Sequence, residues 1–201
     1  MKPTEILSSE HRVIETMLTV LERMSLKAEE AGRLDREDAD KAVNFIKMFA
    51  DKCHHGKEEG QLFPAMEAKG VPCESGPIGV MLSEHEQGRR FVRGMAENLE
   101  AASTGDQSAL RLFVENALSY VLLLRAHILK EDNILFPMAA RLMSPEEQAA
   151  LLKQFDVVES DHMGTGTHER FLELAETLAK KYNVEHTWTA ATTQCACSHH
   201  H

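Results

Sequence analysis

The sequence predicts an all-α protein: an antiparallel up-down four-helix bundle with two additional helices at its C-terminal end. Three observations carry that expectation. Glycine and proline cut the 201 residues into helix-length stretches, and none alternates apolar and polar residues as a strand would. Within the long stretches, apolar side chains recur at three-four spacing, the stripe of a helix that buries one face. The breaks between the long stretches are short, and short turns make neighbouring helices antiparallel.

The elements follow in order. The first helix spans about Thr4 to Ala31 and stops at Gly32. The second runs from about Asp35 to Ala68 and ends at Gly70; residues 71–76 (VPCESG) form a loop. The third runs from about Pro77 to Ser103, ahead of Gly105, and the fourth from about Asp106 to Leu142. Ser144-Pro145-Glu146-Glu147 is a strong helix start, with a capping side chain, proline at the first helical position and acids in the first turn. That fifth helix continues to about Asp161. Gly164 and Gly166 break the chain before a sixth, His168 to about Tyr182, whose Leu172, Ala175, Leu178 and Tyr182 share one face. The expected organisation is a bundle (residues 1–143), a helical extension packed on it (144–182) and a flexible tail (183–201).

Composition removes several classes of function. A net charge of −10 repels a nucleic-acid backbone. No apolar run approaches the roughly 20 residues of a membrane span, and the N-terminus has no apolar stretch of signal-peptide length. Four cysteines, two of them scattered and two (Cys195 and Cys197) close together in the tail, do not form a disulfide framework and suit a reducing compartment. The expectation is a cytoplasmic protein with neither nucleic acid nor membrane as partner. Histidine is the unusual count, at 11, and His199 to His201, native or the remnant of a purification tag, close the chain.

The other histidines fall inside the stripes. The fourth helix reads Phe113, Ala117, Tyr120, Leu124, His127, Glu131, Ile134, Met138 along one face. The first reads Leu7, His11, Ile14, Leu18, and the third Met81, His85, Gly88, Val92. The second is less regular, with Ile46, Ala50, His54, Glu58, Leu62 and Ala65 on one face. In an antiparallel hairpin, residues equally far from the turn lie side by side. His11 and His54 are 22 and 21 residues from position 33, and His85 and His127 are 20 and 22 from Gly105. At a rise of about 1.5 Å per residue, each hairpin brings its two histidines to one level.

The two hairpins also repeat. Ser9-Glu10-His11 matches Ser83-Glu84-His85, and HHGKEEGQLFP from His54 matches HILKEDNILFP from His127, at offsets of 74 and 73. Each half supplies one histidine and a His-x3-Glu, whose members lie one above the other on a helix face. Imidazole suits iron, copper and zinc, and a carboxylate can bridge two ions. Unpaired buried carboxylates cost several kcal/mol each, so a cation belongs nearby. The candidate metal ligands are therefore His11, His54, Glu58, His85, His127 and Glu131, a dinuclear set with room for a further ligand.

His11, HHGKEEGQLFP, His85 in SEHE and HILKEDNILFP together resemble the hemerythrin-like, HHE cation-binding pattern over about residues 8 to 140. The resemblance implies a non-haem di-iron centre, oxo- or hydroxo-bridged, with the glutamates as bridges. Spacing alone admits manganese or zinc; iron comes from the resemblance. It implies a small diatomic or peroxide as ligand, namely oxygen, peroxide or nitric oxide. Two departures from the oxygen carriers count against simple carriage and leave reaction with oxygen, peroxide or nitric oxide (a peroxide- or nitric-oxide-directed oxidoreductase activity among them), iron handling, or sensing. Arg89 stands where those carriers have a second third-helix histidine, and their fourth-helix carboxylate would be Asp132, whereas the repeat favours Glu131. His55, adjacent to His54, is an additional candidate as ligand or as support for one. The alternatives are an iron-handling or iron- and redox-sensing module, and a helical interaction protein with a vestigial site.

The remaining polar residues have plainer readings. His162, before the glycine pair, and His168, on the stripe of the sixth helix, either approach the site or plug the bundle end, with the structural role preferred. Glu10, Glu59, Glu84 and Asp132 read as solvated residues or supports for ligands, and Lys57 and Lys130, matched in the repeat, as surface residues. Phe63-Pro64 and Phe136-Pro137 are expected to kink or end their helices below the site.

Overall fold

The computed structural model describes residues 1–163 and 166–188, apart from the side chains of His162 and Met163. Among the described residues there are six helices and no strand. The helices are α1 (Pro3–Ala31), α2 (residues 36–67), α3 (Pro77–Ser103), α4 (Gln107–Leu142), α5 (Pro145–Met163) and α6 (Thr167–Lys181). Gly32 takes the left-handed conformation (φ 67°) that ends α1, and the Asp35 and Asp106 carboxylates cap α2 and α4 by accepting from backbone N–H groups one turn on. The first four helices run antiparallel to their neighbours, with α4 against both α1 and α3, and α2 against α1 and α3. Helix α5 lies across α1 and α2, and α6 packs on the same two helices.

Helices α2 and α4 are not uniform. Both widen into π-helical turns, over Ile46–His55 and Glu58–Leu62 in α2 and over Glu131–Leu135 in α4. The last two stretches sit immediately before Phe63-Pro64 and Phe136-Pro137. A proline has no N–H to close an α-helical turn, and a wider turn carries the helix past it. The helices therefore continue where a kink or an end was expected. Widening also moves the buried stripe. Below Glu131 the inward positions are Leu135 and Ala139, while Ile134 is 55% exposed. Below Leu62 the inward residue is Met66 rather than Ala65.

The interior is layered. One large apolar cluster fills the bundle from Val13 and Ala50 to the Gly32 end, and a smaller one, with Leu7, Leu62, Met66, Met81, Leu135 and Phe155, fills the other end. Between them lies a slab of buried histidine and glutamate. Contrary to the expectation from the apolar runs, helix α4 is long and apolar enough to cross a membrane by length and composition. Its inner face nevertheless supplies His127 and Glu131 to the slab. Residues 183–188, read from the sequence as tail, lie against α1. Trp188 is buried and donates from Nε1 to Thr16 Oγ1 (2.8 Å), and Arg23 holds the carbonyls of Tyr182 and Asn183. Cys195, Cys197 and the three terminal histidines lie outside the described residues.

Candidate metal centre

The six residues picked from the stripes meet in the slab. His11 Nε2 lies 3.0 Å from His54 Nε2, and His85 Nε2 lies 3.1 Å from His127 Nε2, so each hairpin pairs its own two histidines. Two donor groups result: His11, His54, Glu58 and Glu131 on one side, and His55, Glu58, His85 and His127 on the other. Glu58 spans them, with Oε1 3.5 Å from His54 and Oε2 3.5 Å from His85. Glu131 does the same through Oε2, 3.2 Å from His11 and 3.3 Å from His127. Every one of these residues is buried.

His55 joins the second group, its ring stacked on His85 at 3.8 Å. The π-helical turn over Ile46–His55 makes this possible, because a wider turn narrows the angle between consecutive residues. The repeat places Ile128 where the first half would need an equivalent of His55, and Ile128 is a buried apolar side chain.

Five carboxylates stand behind the five histidines. Asp132 accepts from His11 Nδ1 (2.9 Å), Glu10 from His54 (2.9 Å), Asp51 from His55 (3.3 Å), Glu59 from His85 (2.7 Å) and Glu84 from His127 (2.8 Å). In each contact Nδ1–H donates to the carboxylate, which directs Nε2 to the slab as the nitrogen available to a ligated ion. Asp132 is in neither donor group and lies behind His11. Glu131 holds the inward position, and its neighbour turns toward α1, where Ser8 and Arg12 also bind it. Arg89 bonds both Asp51 (2.9 Å) and Glu59 (2.7 Å), so one guanidinium aligns the carboxylates behind His55 and His85. Phe136 stacks on His11 (5.2 Å) and Phe63 on His85 (6.0 Å), flooring each half in the same way.

His168 is in neither donor group. It stacks on Phe49 (5.2 Å), with Nδ1 3.7 Å from Glu159, because α6 packs outside the bundle. The side chain of His162 lies outside the described residues. Lys57 departs most from expectation: it is fully buried, held by Glu10 (2.5 Å) and by Glu159 of α5 (3.2 Å). Its sequence repeat, Lys130, is 36% exposed and pairs with Glu84. The two positions differ because the C-terminal helices cover one side of the bundle alone.

The slab fits cations on its own chemistry. All four carboxylate oxygens of Glu58 and Glu131 are buried without a hydrogen-bond partner, an arrangement that costs several kcal/mol unless a charge satisfies them. Without an ion, the two carboxylates divide the burden. Burial and the Glu131 charge push Glu58 well above the usual range; burial raises Glu131 too, but His127 and His11 outweigh it and hold Glu131 well below. Burial lowers His54 and His55 to about 4 and His85 to about 3, so these imidazoles are neutral donors at neutral pH. His11 and His127 are pushed down by burial too, but their carboxylate contacts win; His11 rises and His127 reaches about 9. In each histidine pair, at 3.0 and 3.1 Å, one imidazole is favoured protonated and the other neutral, so protons hold together donors that two cations would hold in their place.

Residues 2–139 match the hemerythrin HHE cation binding domain. The chain belongs to that family. The family's residues include every member of the two donor groups and stop before α5 and α6. Proteins of Mycobacterium tuberculosis and Mycobacterium bovis, both named as uncharacterized, are 21% identical to the chain over 180 residues, 90% of this chain and 70% of each relative. No solved structure is a significant match.

A cavity of about 230 Å³ between α2, α3 and α4 reaches the second half of this HHE site. His55, His85, Arg89 and Tyr120 line it beside apolar Ile46, Val92 and Leu124. Tyr120 is buried, and burial raises its hydroxyl's pKa. A larger groove lined by Lys27, Arg33 and Tyr182 lies at the other end of the bundle and holds none of the donors.

Proposed function

We propose that the protein holds two iron ions and binds or reacts with a small ligand, oxygen, peroxide or nitric oxide, at the ion on the His11/His54 side. The observation that carries this reading is the inequality of the two halves. His55, His85 and His127 join the bridging Glu58 and Glu131 on one side, giving five donors. The other has His11, His54 and the same two glutamates, with Ile128 as the repeat equivalent of His55. A half that is one donor short, in a repeat that is otherwise matched, leaves a position for an exogenous ligand. An iron pair would supply that position and two exchangeable electrons.

The protein's own residues do the rest. Glu58 and Glu131 tie the two positions together and hold their negative charge away from water. The carboxylates behind each Nδ1 fix ring orientation and strengthen Nε2 as a donor. The two apolar layers exclude bulk water above and below. Full burial of the donors favours retention of the ions and counts against a role in which iron is loaded and released as cargo.

The test is anaerobic loading with iron(II), confirmation of two ions per chain, then addition of oxygen, hydrogen peroxide or nitric oxide while the absorption spectrum is recorded. A charge-transfer band appearing with one of these ligands is expected. Two bound irons and no spectral response to any of the three would overturn the proposal.

A further inference from the structure

The repeat gives both halves the same support for one histidine: a carboxylate from the preceding hairpin residue and a lysine three positions after the histidine. On one side Glu84 accepts from His127 Nδ1 and pairs with Lys130, at the solvent edge. On the other, Glu10 accepts from His54 Nδ1 with Oε2 and from Lys57 Nζ with Oε1. There the resemblance ends. Lys57 has no exposure at all, and a second carboxylate, Glu159 of α5, lies 3.2 Å from its ammonium. Cys53 and His168 are also nearby, with Glu159 Oε1 3.7 Å from His168 Nδ1. Helices α5 and α6, beyond the residues matched to the family, thus reach back to the support of the half that is short of a donor.

We infer that Glu159 is a positioning residue for the ion held by His11 and His54, acting through Lys57 and Glu10 on His54. The inference rests on the metal-pair reading. A carboxylate that accepts from an imidazole N–H strengthens the opposite nitrogen as a donor. An ammonium on the same carboxylate draws its charge away and weakens that effect. Glu159 shares the Lys57 charge and so leaves Glu10 more fully to His54. In water such a tug would be screened, but the Lys57–Glu10 contact is buried, where charges act over short distances with little attenuation. Among the described residues the other half has no such third party; its lysine is tempered by solvent. The C-terminal helices therefore make the two ions unequal in how tightly they are held.

The experiment measures release of iron(II) to a chromogenic chelator under anaerobic conditions, in the full-length protein loaded with two ions. Glu159→Gln keeps the shape and removes the charge. It should release one of the two ions about tenfold faster, the scale of a lost ligand support, and the other within about twofold of wild type. The double variant Lys57→Met with Glu159→Gln removes the competitor as well, and should return the fast ion to a rate no faster than wild type. A purely structural role predicts the reverse, a double variant at least as leaky as the single. Wild-type release of both ions from Glu159→Gln, equal acceleration of both, or a double variant leakier than the single would each overturn the inference. Should Glu159→Gln fail to fold by circular dichroism, the double variant decides alone: wild-type release supports the inference and faster release overturns it. A wild-type protein that loads no ion pair removes the metal reading and this inference together; a loaded wild type with an unresponsive Glu159→Gln removes this inference only.

Discussion

Lys57 and Lys130 occupy equivalent places in the repeat, so replacing each by methionine asks what burial does to one ion pair. In the metal-free protein, Lys57→Met keeps most of the aliphatic stem and deletes the ammonium. It takes the ammonium away from Glu10, which is almost wholly enclosed. Breaking a buried pair from one side costs ~3–5 kcal/mol, because the surviving charge stays buried. In a chain of this length each kcal/mol is worth a few degrees, so the melting temperature should fall by roughly 6–20 °C. Lys130 is 36% exposed and Glu84 18%, so solvent already screens that pair. Its loss costs about 0–1 kcal/mol, and Lys130→Met should shift melting by no more than about 4 °C. Thermal unfolding followed by far-ultraviolet circular dichroism on chelator-treated protein measures both. Equal shifts for the two variants, or the larger one at Lys130, would refute the claim that the C-terminal helices bury one support and leave the other open.

Three further outcomes follow from the same geometry. Glu58→Met removes a carboxylate whose two oxygens have no partner; the metal-free variant should melt higher, by about 1–3 kcal/mol of stability, yet retain at most one ion per chain by metal analysis. Ile128→His supplies the missing fifth donor to the His11/His54 half; the variant should keep two irons and lose its spectral response to oxygen, peroxide and nitric oxide. Arg89→Met frees Asp51 and Glu59 from their common guanidinium and should weaken iron(II) binding at the His55, His85, His127 position about tenfold or more in chelator competition, since residues that orient ligands carry effects of that size.

Much of the bundle is legible from local sequence. Gly32, Gly105 and the Ser144-Pro145-Glu146-Glu147 start mark helix boundaries close to those observed, and the paired hairpins set His11 beside His54 and His85 beside His127. Where the buried stripes of α2 and α4 differ from expectation, the cause is the period. A stripe drawn at 3.6 residues per turn drifts off Leu135, Ala139 and Met66, because it takes no account of the π-helical turns. The signal was present in the strict four-residue spacing of Ile46, Ala50, His54, Glu58, Leu62 and Met66, which an unmodified α-helix cannot keep on one face. His55 was undecided for the same reason: its angle to His54 depends on the local pitch.

Lys57 was misread for a different reason. Its burial is set by Glu159, about a hundred residues later, and no periodicity within α2 contains that information. A repeat predicts equivalence, and only the packing of α5 and α6 on one side breaks it. His168 fell on an apolar stripe, as a buried histidine of the extension should. His168 and Phe171 of that helix both meet Phe49 rather than the donor slab.

The account depends most on two ions lying side by side between Glu58 and Glu131. Anomalous diffraction from crystals of the iron-loaded protein tests it directly. Two peaks are predicted, separated by about 3.5–4 Å as in other carboxylate-bridged pairs, one within bonding distance of His11 and His54 and the other of His55, His85 and His127. A single peak, or none with the histidine nitrogens still paired at their present contacts, would contradict it.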